Sequence, residues 1–189
     1  MRKLIVHEFM TLDGVIQAPG GSNEDTDGGF PYGGWTRPYW HDEIGAHFGQ
    51  LMMEADALLL GSKTWRIHGE AFGPNPAQDP FGNMKKYVVS STLSSVDLWQ
   101  NSNLIRGNVL DEVRALKNQP GKNILLDGSS VLVHTLIENG LVDDFRLHVY
   151  PLVFGIGKRL FPQGKRINLK LVESSAAPTG VMYLHYVPA

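Results

Sequence analysis

The stretch Ile124-Leu125-Leu126-Asp127-Gly128-Ser129-Ser130 decides the fold class. Its three apolar residues suit a strand covered on both faces. The small residues behind them lead into Val131 to Asn139, a helix stopped by Gly140, since glycine is the natural residue just past a helix end. Ala57 to Leu60 is a second short apolar strand, and Gly61-Ser62-Lys63-Thr64-Trp65 follows it directly. Strand, turn of small residues, then helix is the unit from which parallel sheets are built.

Working outward, Lys3 to Met10 reads as a first strand and Asp13-Gly14 as its turn. Trp40 to Ala55 fits a helix through Ile44, Phe48, Leu51 and Met52. Lys86 to Ser91 and Leu104-Ile105 read as strands, and Asn108 to Lys117 as a helix. Phe145 to Val153 alternates like a strand, and Leu169 to Ser174 with Val181 to Val187 looks like a closing antiparallel pair. Two Gly- and Pro-rich excursions interrupt this order, Ala18 to Gly34 and Gly69 to Gly82. The first is long enough to be a lid or binding loop, with Phe30, Trp35 and Trp40 as pocket walls or, equally, core or dimer contacts. The expectation is one α/β domain over residues 1–189, with a mostly parallel sheet and an antiparallel C-terminal edge.

Composition excludes several function classes. Seventeen basic against nineteen acidic residues leave a net charge of −2, which offers no field for nucleic acid or an anionic membrane. There is no cysteine, so disulfides, thiolate catalysis and cysteine-ligated zinc are out. No apolar run approaches the ~20 residues of a membrane span, and the N-terminus lacks a signal-peptide core. The chain therefore reads as soluble and cytoplasmic.

Ligands of an open α/β sheet bind beyond the carboxyl ends of its strands. Gly61 to Thr64, Ser90 to Thr92 and Gly128 to Ser130 each combine a strand end, small residues and an expected following helix. Small residues let backbone amides approach an anion, and a helix N-terminus favours negative charge. Each segment alone is as well explained by a turn or an N-cap; Lys63 adds a cation for a ribose phosphate or is a solvated lysine. The G-x-G-x-x-G fingerprint is missing, and Gly155-Ile156-Gly157-Lys158 lacks Walker spacing. H-E-x-x-H does not occur and no other ligand spacing stands out, so no metal site is expected; G-x-S-x-G is also missing, so serine hydrolysis lacks its usual marker.

Five blocks carry a family resemblance. Thr11-Leu12-Asp13-Gly14 followed by Leu58-Leu59-Leu60-Gly61-Ser62-Lys63-Thr64-Trp65 resembles the dihydrofolate reductase-like fold, a three-layer sandwich. Asp127-Gly128-Ser129-Ser130, Leu141-Val142-Asp143-Asp144 and Pro151-Leu152-Val153-Phe154-Gly155-Ile156-Gly157-Lys158-Arg159-Leu160-Phe161 look like the C-terminal reductase domain of bacterial riboflavin biosynthesis. The resemblance implies NADPH as cofactor and hydride transfer to a small polar heterocycle, of pterin or aminouracil type, or to a carbonyl compound. It implies that Gly61, Ser62, Lys63 and Thr64 hold phosphates, with Lys63 near the 2′-phosphate. Ser90 and Ser91 would lie by the adenosine end. Gly128, Ser129, Ser130 and Val131 would face the pyrophosphate, and Phe9 and Ile16 the nicotinamide carboxamide. Ser129 departs from the double glycine of many members.

For catalysis the candidates are Asp13, Glu43 and His148. Asp13 reads as a turn stabiliser or a proton donor. Glu43 sits one residue from the place, near Ile44 or Gly45, where folate reductases carry a helix carboxylate. His148 is a core or edge histidine, or a polar contact to a ring substrate. Family resemblance also implies a homodimer. The alternative function is an NADP(H)-binding protein with little or no catalysis.

Overall fold

The computed structural model describes residues 1–189. Eight strands form one sheet: β1 (Leu4–Thr11), β2 (Ala55–Gly61), β3 (Lys85–Val89), β4 (Ser102–Ile105), β5 (Asn123–Asp127), β6 (Asp144–Tyr150), β7 (Leu169–Ala176) and β8 (Met182–Pro188). Their spatial order is β4-β3-β2-β5-β1-β6-β8-β7. The first six pair in parallel, while β8 runs antiparallel to β6 and β7 antiparallel to β8. Four helices cover the sheet: α1 (Asp42–Glu54), α2 (Ser62–Phe72), α3 (Val109–Asn118) and α4 (Ser130–Glu138).

Alternation along the strands sorts the core into layers, because successive side chains point to opposite faces. Leu4, Val6 and Met10 of β1 join Val113 and Leu116 of α3 and Leu132, Val133 and Leu136 of α4 on one face. Ile5 of the same strand joins Leu51 of α1, Trp65 of α2, Phe81 and Trp99 on the other. The result is the three-layer mostly parallel sandwich with an antiparallel edge that the apolar runs imply. Strand ends fall within three residues of expectation. β6 stops at Tyr150 because Pro151 follows and cannot donate to the ladder.

Two local expectations need correction. No helix follows Ser90 to Thr92; instead Ser90 Oγ accepts from the amides of Thr92 and Leu93, at 3.2 and 3.1 Å, and turns the chain. Gly69 does not open an irregular excursion but lies inside α2. A Cβ there would stand 2.9 Å from Leu98, so glycine serves close packing of the segment before β4 rather than a turn. Phe30 and Trp35 belong to a third core cluster with Val15, Ile44 and Tyr150, and Trp40 is exposed. None of the three aromatics lines the main cleft.

One buried ion pair fixes the loop carrying Phe81. Asp79 accepts from Trp99 Nε1 at 2.8 Å and from the Phe81 amide at 2.9 Å, and lies 3.4 Å from the fully buried Lys86 ammonium. Burial draws the Lys86 ammonium below its ordinary value, with Asp79 opposing. Removing one partner of a buried pair strands the other charge and costs about 3–5 kcal/mol. Asp79→Ala is therefore expected to lower unfolding free energy by that amount in urea titration, and Lys86→Met by less, because Asp79 would keep its bonds from Trp99 Nε1 and the Phe81 amide.

Candidate functional site

A cleft of about 1160 Å3 opens at the carboxyl ends of β1, β2 and β5. That exceeds the ~300–1,000 Å3 of most small-molecule pockets, so two ligands fit side by side. Its walls include Phe9, Ile16, Gly61, Ser62, Lys63, Thr64, Gly128, Ser129, Ser130 and Val131. Two segments read from the sequence as anion cradles thus face each other across one space.

What distinguishes these segments is how their helices begin. α1 and α3 lie away from the cradle and are capped in the ordinary way. His41 Nδ1 accepts from the Glu43 amide, and Asn108 Oδ1 from the Leu110 amide. α2 and α4 start at the cleft with no side-chain cap. Their first-turn amides are orphan donors, and the aligned peptide dipoles add partial positive charge. Two uncapped N-termini converging on one cleft make a ready anion site.

Ser129 ties the two together. Its Oγ accepts from the Gly61 amide at 2.8 Å and lies 2.8 Å from Thr64 Oγ1. Its backbone is left-handed, with φ +66°, a conformation costing a non-glycine residue about 1–2 kcal/mol. Ser129 thus carries strain and offsets it with a cross-link between β2 and α4. Gly128 before it has φ +63°, and a Cβ there would meet Thr64 at 2.8 Å.

A second group of side chains was not read from the sequence. Asp127, the last residue of β5, lies 3.3 Å through Oδ1 from His7 Nδ1 on β1 and 3.0 Å through Oδ2 from His68 Nε2 on α2. Burial opposes its ionisation, but the two imidazoles outweigh it and hold the carboxyl well below the usual range. Glu8 follows His7 on the opposite face of β1. It is 3% exposed, lines the cleft, and keeps Oε1 buried without a partner. Burial and the nearby Asp127 push its carboxyl well up. Glu24, raised mainly by burial, accepts from the amides of Gly20 and Gly21. The signal available was polarity in the wrong place: His7-Glu8 inside an apolar strand and Asp127 ending another.

Residues 19–25 of the lid line the cleft, and four ion pairs hold the lid shut. Lys63 Nζ lies 2.6 Å from Asp25 and 2.5 Å from Asp27; Lys158 Nζ lies 2.6 and 2.7 Å from the same two carboxylates. Lys158 and Lys63 pull Asp27 down to about 2. Asp25 is lowered as well, its burial outweighed by bonds from Lys158 and Lys63. Lys63 is raised because those carboxylates outweigh its partial burial.

The remaining sequence candidates fall elsewhere. Ser90, Ser91, Glu43 and His148 do not line the cleft. Glu43 is exposed on the first turn of α1, since the face that packs on the sheet carries Ile44 and Leu51. His148 is fully buried with neither ring nitrogen bonded; burial, His7 and His47 push it down to about 2, so it is a neutral core histidine. Asp13 accepts from Thr11 Oγ1 at 2.6 Å and from the Gly155 amide at 2.9 Å, and pairs with Arg159. Burial opposes its ionisation, but these bonds hold it below its ordinary value. It fastens the turn after β1 to the loop after β6.

Comparison with known proteins points one way. The family model described as RibD C-terminal domain matches residues 2–183. YyaP of Bacillus subtilis, an uncharacterized protein, is 35% identical over 193 residues, covering 98% of this chain and 94% of that one. YwjB of the same organism, also uncharacterized, is 24% identical over 194 residues, covering 100% and 99%. Among solved structures, a Shewanella sp. PV-4 protein assigned by name to riboflavin biosynthesis superposes with a TM-score of 0.77 at 20% identity, covering 99% of each chain. A pyrimidine reductase-like protein of Corynebacterium diphtheriae gives 0.65 at 15%, covering 100% of this chain and 92% of that one. These neighbours share the dihydrofolate reductase-like sandwich.

Two predictions follow from the geometry. Ser129→Ala keeps the left-handed backbone and loses the cross-link, so it should destabilise by about 1 kcal/mol and lower Tm by roughly 2–4 °C. Ser129→Gly also relieves the strain and should be milder; the reverse ranking in thermal unfolding would refute this account. The lid carboxylates are depressed, so lid closure is fully present above their ordinary value of 3.8 and is lost as pH falls towards about 2. Hydrogen exchange over residues 19–29 should rise across that window, and an Asp25→Asn, Asp27→Asn double variant should already exchange fast at neutral pH.

Proposed function

The chain belongs to the RibD C-terminal domain family, and from that premise we propose that it is an NADPH-dependent reductase. The reading carries hydride transfer to a small polar heterocycle, of pterin or aminouracil type, or to a carbonyl compound. The observation that supports it is the pair of uncapped helix N-termini, α2 and α4, bound to each other through Ser129 on one cleft wall.

In this reading the amides of Gly128, Ser129, Ser130 and Val131 hold the pyrophosphate, and Gly61, Ser62 and Thr64 complete the cradle. Phe9 and Ile16 meet the nicotinamide carboxamide through their main chains. Lys63 serves the 2′-phosphate, which requires it to exchange Asp25 and Asp27 for the ligand. When bound, the cofactor supplies the hydride; the protein orients it and excludes water beneath the lid. Phe48, Phe72 and Phe81 form an apolar wall for a flat substrate.

A homodimer belongs to the same reading. Seven of the eight residues of edge strand β7 are exposed, with Leu171 and Val172 among them, and such an edge is normally covered or charged. No helix is long and apolar enough to cross a membrane. A chain without cysteine suits the reducing cytoplasm, the compartment this reading assigns.

The test is thermal unfolding with NADPH and, separately, NADH. At a hundred times its dissociation constant a ligand stabilises the native state by about 2.7 kcal/mol, or roughly 5–11 °C here. NADPH should give the larger rise, and Lys63→Ala should narrow the difference between the two. No shift with either nucleotide would remove the reductase reading.

A further inference from the structure

We propose that His68 delivers the proton in this reaction, oriented by Asp127 with His7 behind it, and that the substrate therefore presents a polar C=O or C=N bond. The proposal rests on the reductase reading and adds the acid that reading lacks.

The three residues come from three elements and are fixed by the fold. His7 and Asp127 are register partners on neighbouring strands β1 and β5, so their separation is set by the sheet. His68 lies on α2, and its ring packs 5.4 Å from Phe81 and 5.7 Å from Trp99. An ionised carboxylate only accepts hydrogen bonds. Because Asp127 meets an imidazole nitrogen at each oxygen, both histidines must donate to it. That fixes a proton on Nε2 of His68 and leaves Nδ1 for a ligand.

Access separates the two histidines. His7 is 1% exposed and its Nε2 is buried without a partner, so it has no route to a substrate. The His68 side chain is 19% exposed, and both His68 and Asp127 line the cleft. Asp127 immediately precedes Gly128, the first residue of the α4 cradle, so the dyad and the cofactor segment share one strand end. The titratable groups that act on His68 are Asp127 from β5 and Glu24 from the lid; His7 and Glu8 from β1 act on Asp127 in turn. No group of three or more His, Asp or Glu is arranged to hold a metal ion.

The chemistry balances without a further reactant. Hydride from the bound cofactor, carrying two electrons, forms the new C–H bond at the substrate carbon. The π pair of the C=O or C=N bond moves onto oxygen or nitrogen, which takes the proton from His68 Nδ1. Oxidised nicotinamide and an alcohol or amine result, and His68 regains its proton from water when the lid opens. Asp127 acts as a positioning residue throughout, holding the imidazole and facing the charge of its protonated form, the role a carboxylate plays behind a catalytic histidine.

The experiment compares wild type, His68→Gln and Asp127→Asn. NADPH binding is read by thermal shift, and NADPH oxidation is followed with 7,8-dihydropterin as the C=N probe and phenanthrenequinone as the C=O probe. Nitrogen-15 NMR of the histidines reads whether His68 carries its Nε2 proton towards Asp127. We expect His68→Gln to keep the NADPH shift while kcat falls on the order of 100-fold or more, the scale of general acid catalysis. The high-pH fall in kcat, present in wild type, should disappear. Asp127→Asn turns one acceptor into a donor, so the NMR signature should change and kcat should drop while the NADPH KM holds. His68→Gln turning over at the wild-type rate, or an unchanged NMR signature in Asp127→Asn, would overturn the proposal. So would wild type that binds NADPH but reduces neither probe. Wild type that shows no NADPH shift overturns instead the reductase reading beneath it.

Discussion

Everything at the cleft depends on β5 running between β1 and β2. A strand with parallel neighbours on both sides is buried on both faces, and Ile124, Leu125 and Leu126 are accordingly no more than 1% exposed. Its carboxyl end must then turn in the middle of the sheet rather than at an edge, and the helix that follows starts directly over the crevice. At β5 that turn is made by two successive left-handed residues, Gly128 and Ser129, whereas at β2 Gly61 makes it with an extended backbone. It also starts α4 beside α2, because β5 and β2 are direct neighbours. The uncapped amides, the Ser129 bridge and the position of Asp127 are consequences of one insertion in the strand order.

Electrostatics divides the cleft. Two acidic groups on its walls are covered, Glu8 at 3% exposed and the Asp127 side chain at 19%, while Glu70 is exposed. The basic groups are more open, with Lys63 at 46% and Lys158 at 34%. Isolated surface ion pairs contribute only about 0–1 kcal/mol each. Two lysines and two carboxylates joined in a ring order the lid without locking it. Of the two carboxylates Asp25 is covered and Asp27 open, so in the proposed reading a phosphate at Lys63 would displace Asp27 more readily than Asp25.

The parallel core was legible because Ala57 to Leu60 and Ile124 to Leu126 are too short and too apolar to be anything but central strands. The two cleft-lining segments were legible because ligands of an open α/β sheet bind beyond its strand ends, yet the same pattern at Ser90 to Thr92 makes only a turn. His7, His68 and Asp127 escaped for a physical reason. They lie on a strand, a helix and a strand end far apart in the chain, and only the β1–β5 register brings the first and last together. No spacing motif encodes that contact. The lid aromatics were left open between pocket wall and core, and Phe30 and Trp35 take the core reading, since burying a large ring gains more than lining a wet cleft. Trp35 also finds a partner for its Nε1 in the Gln17 carbonyl at 2.8 Å.

The same division of charge constrains what the cleft accepts. A ligand with phosphates is matched by lysines and helix N-termini, and repelled by Glu24 and Asp127 if it enters wrong way round. The inner end, with an ionised Asp127, a Glu8 carboxyl held up by burial and an apolar wall of three phenylalanines, disfavours an anionic reacting group. In the proposed reading a flat, uncharged group carrying N–H donors would fit there, since Glu8 Oε1 is buried without a partner. Like-charge juxtaposition at a covered site costs several kcal/mol, more than a single good contact returns. Orientation is therefore decided by what the inner carboxylates exclude as much as by what the outer lysines attract.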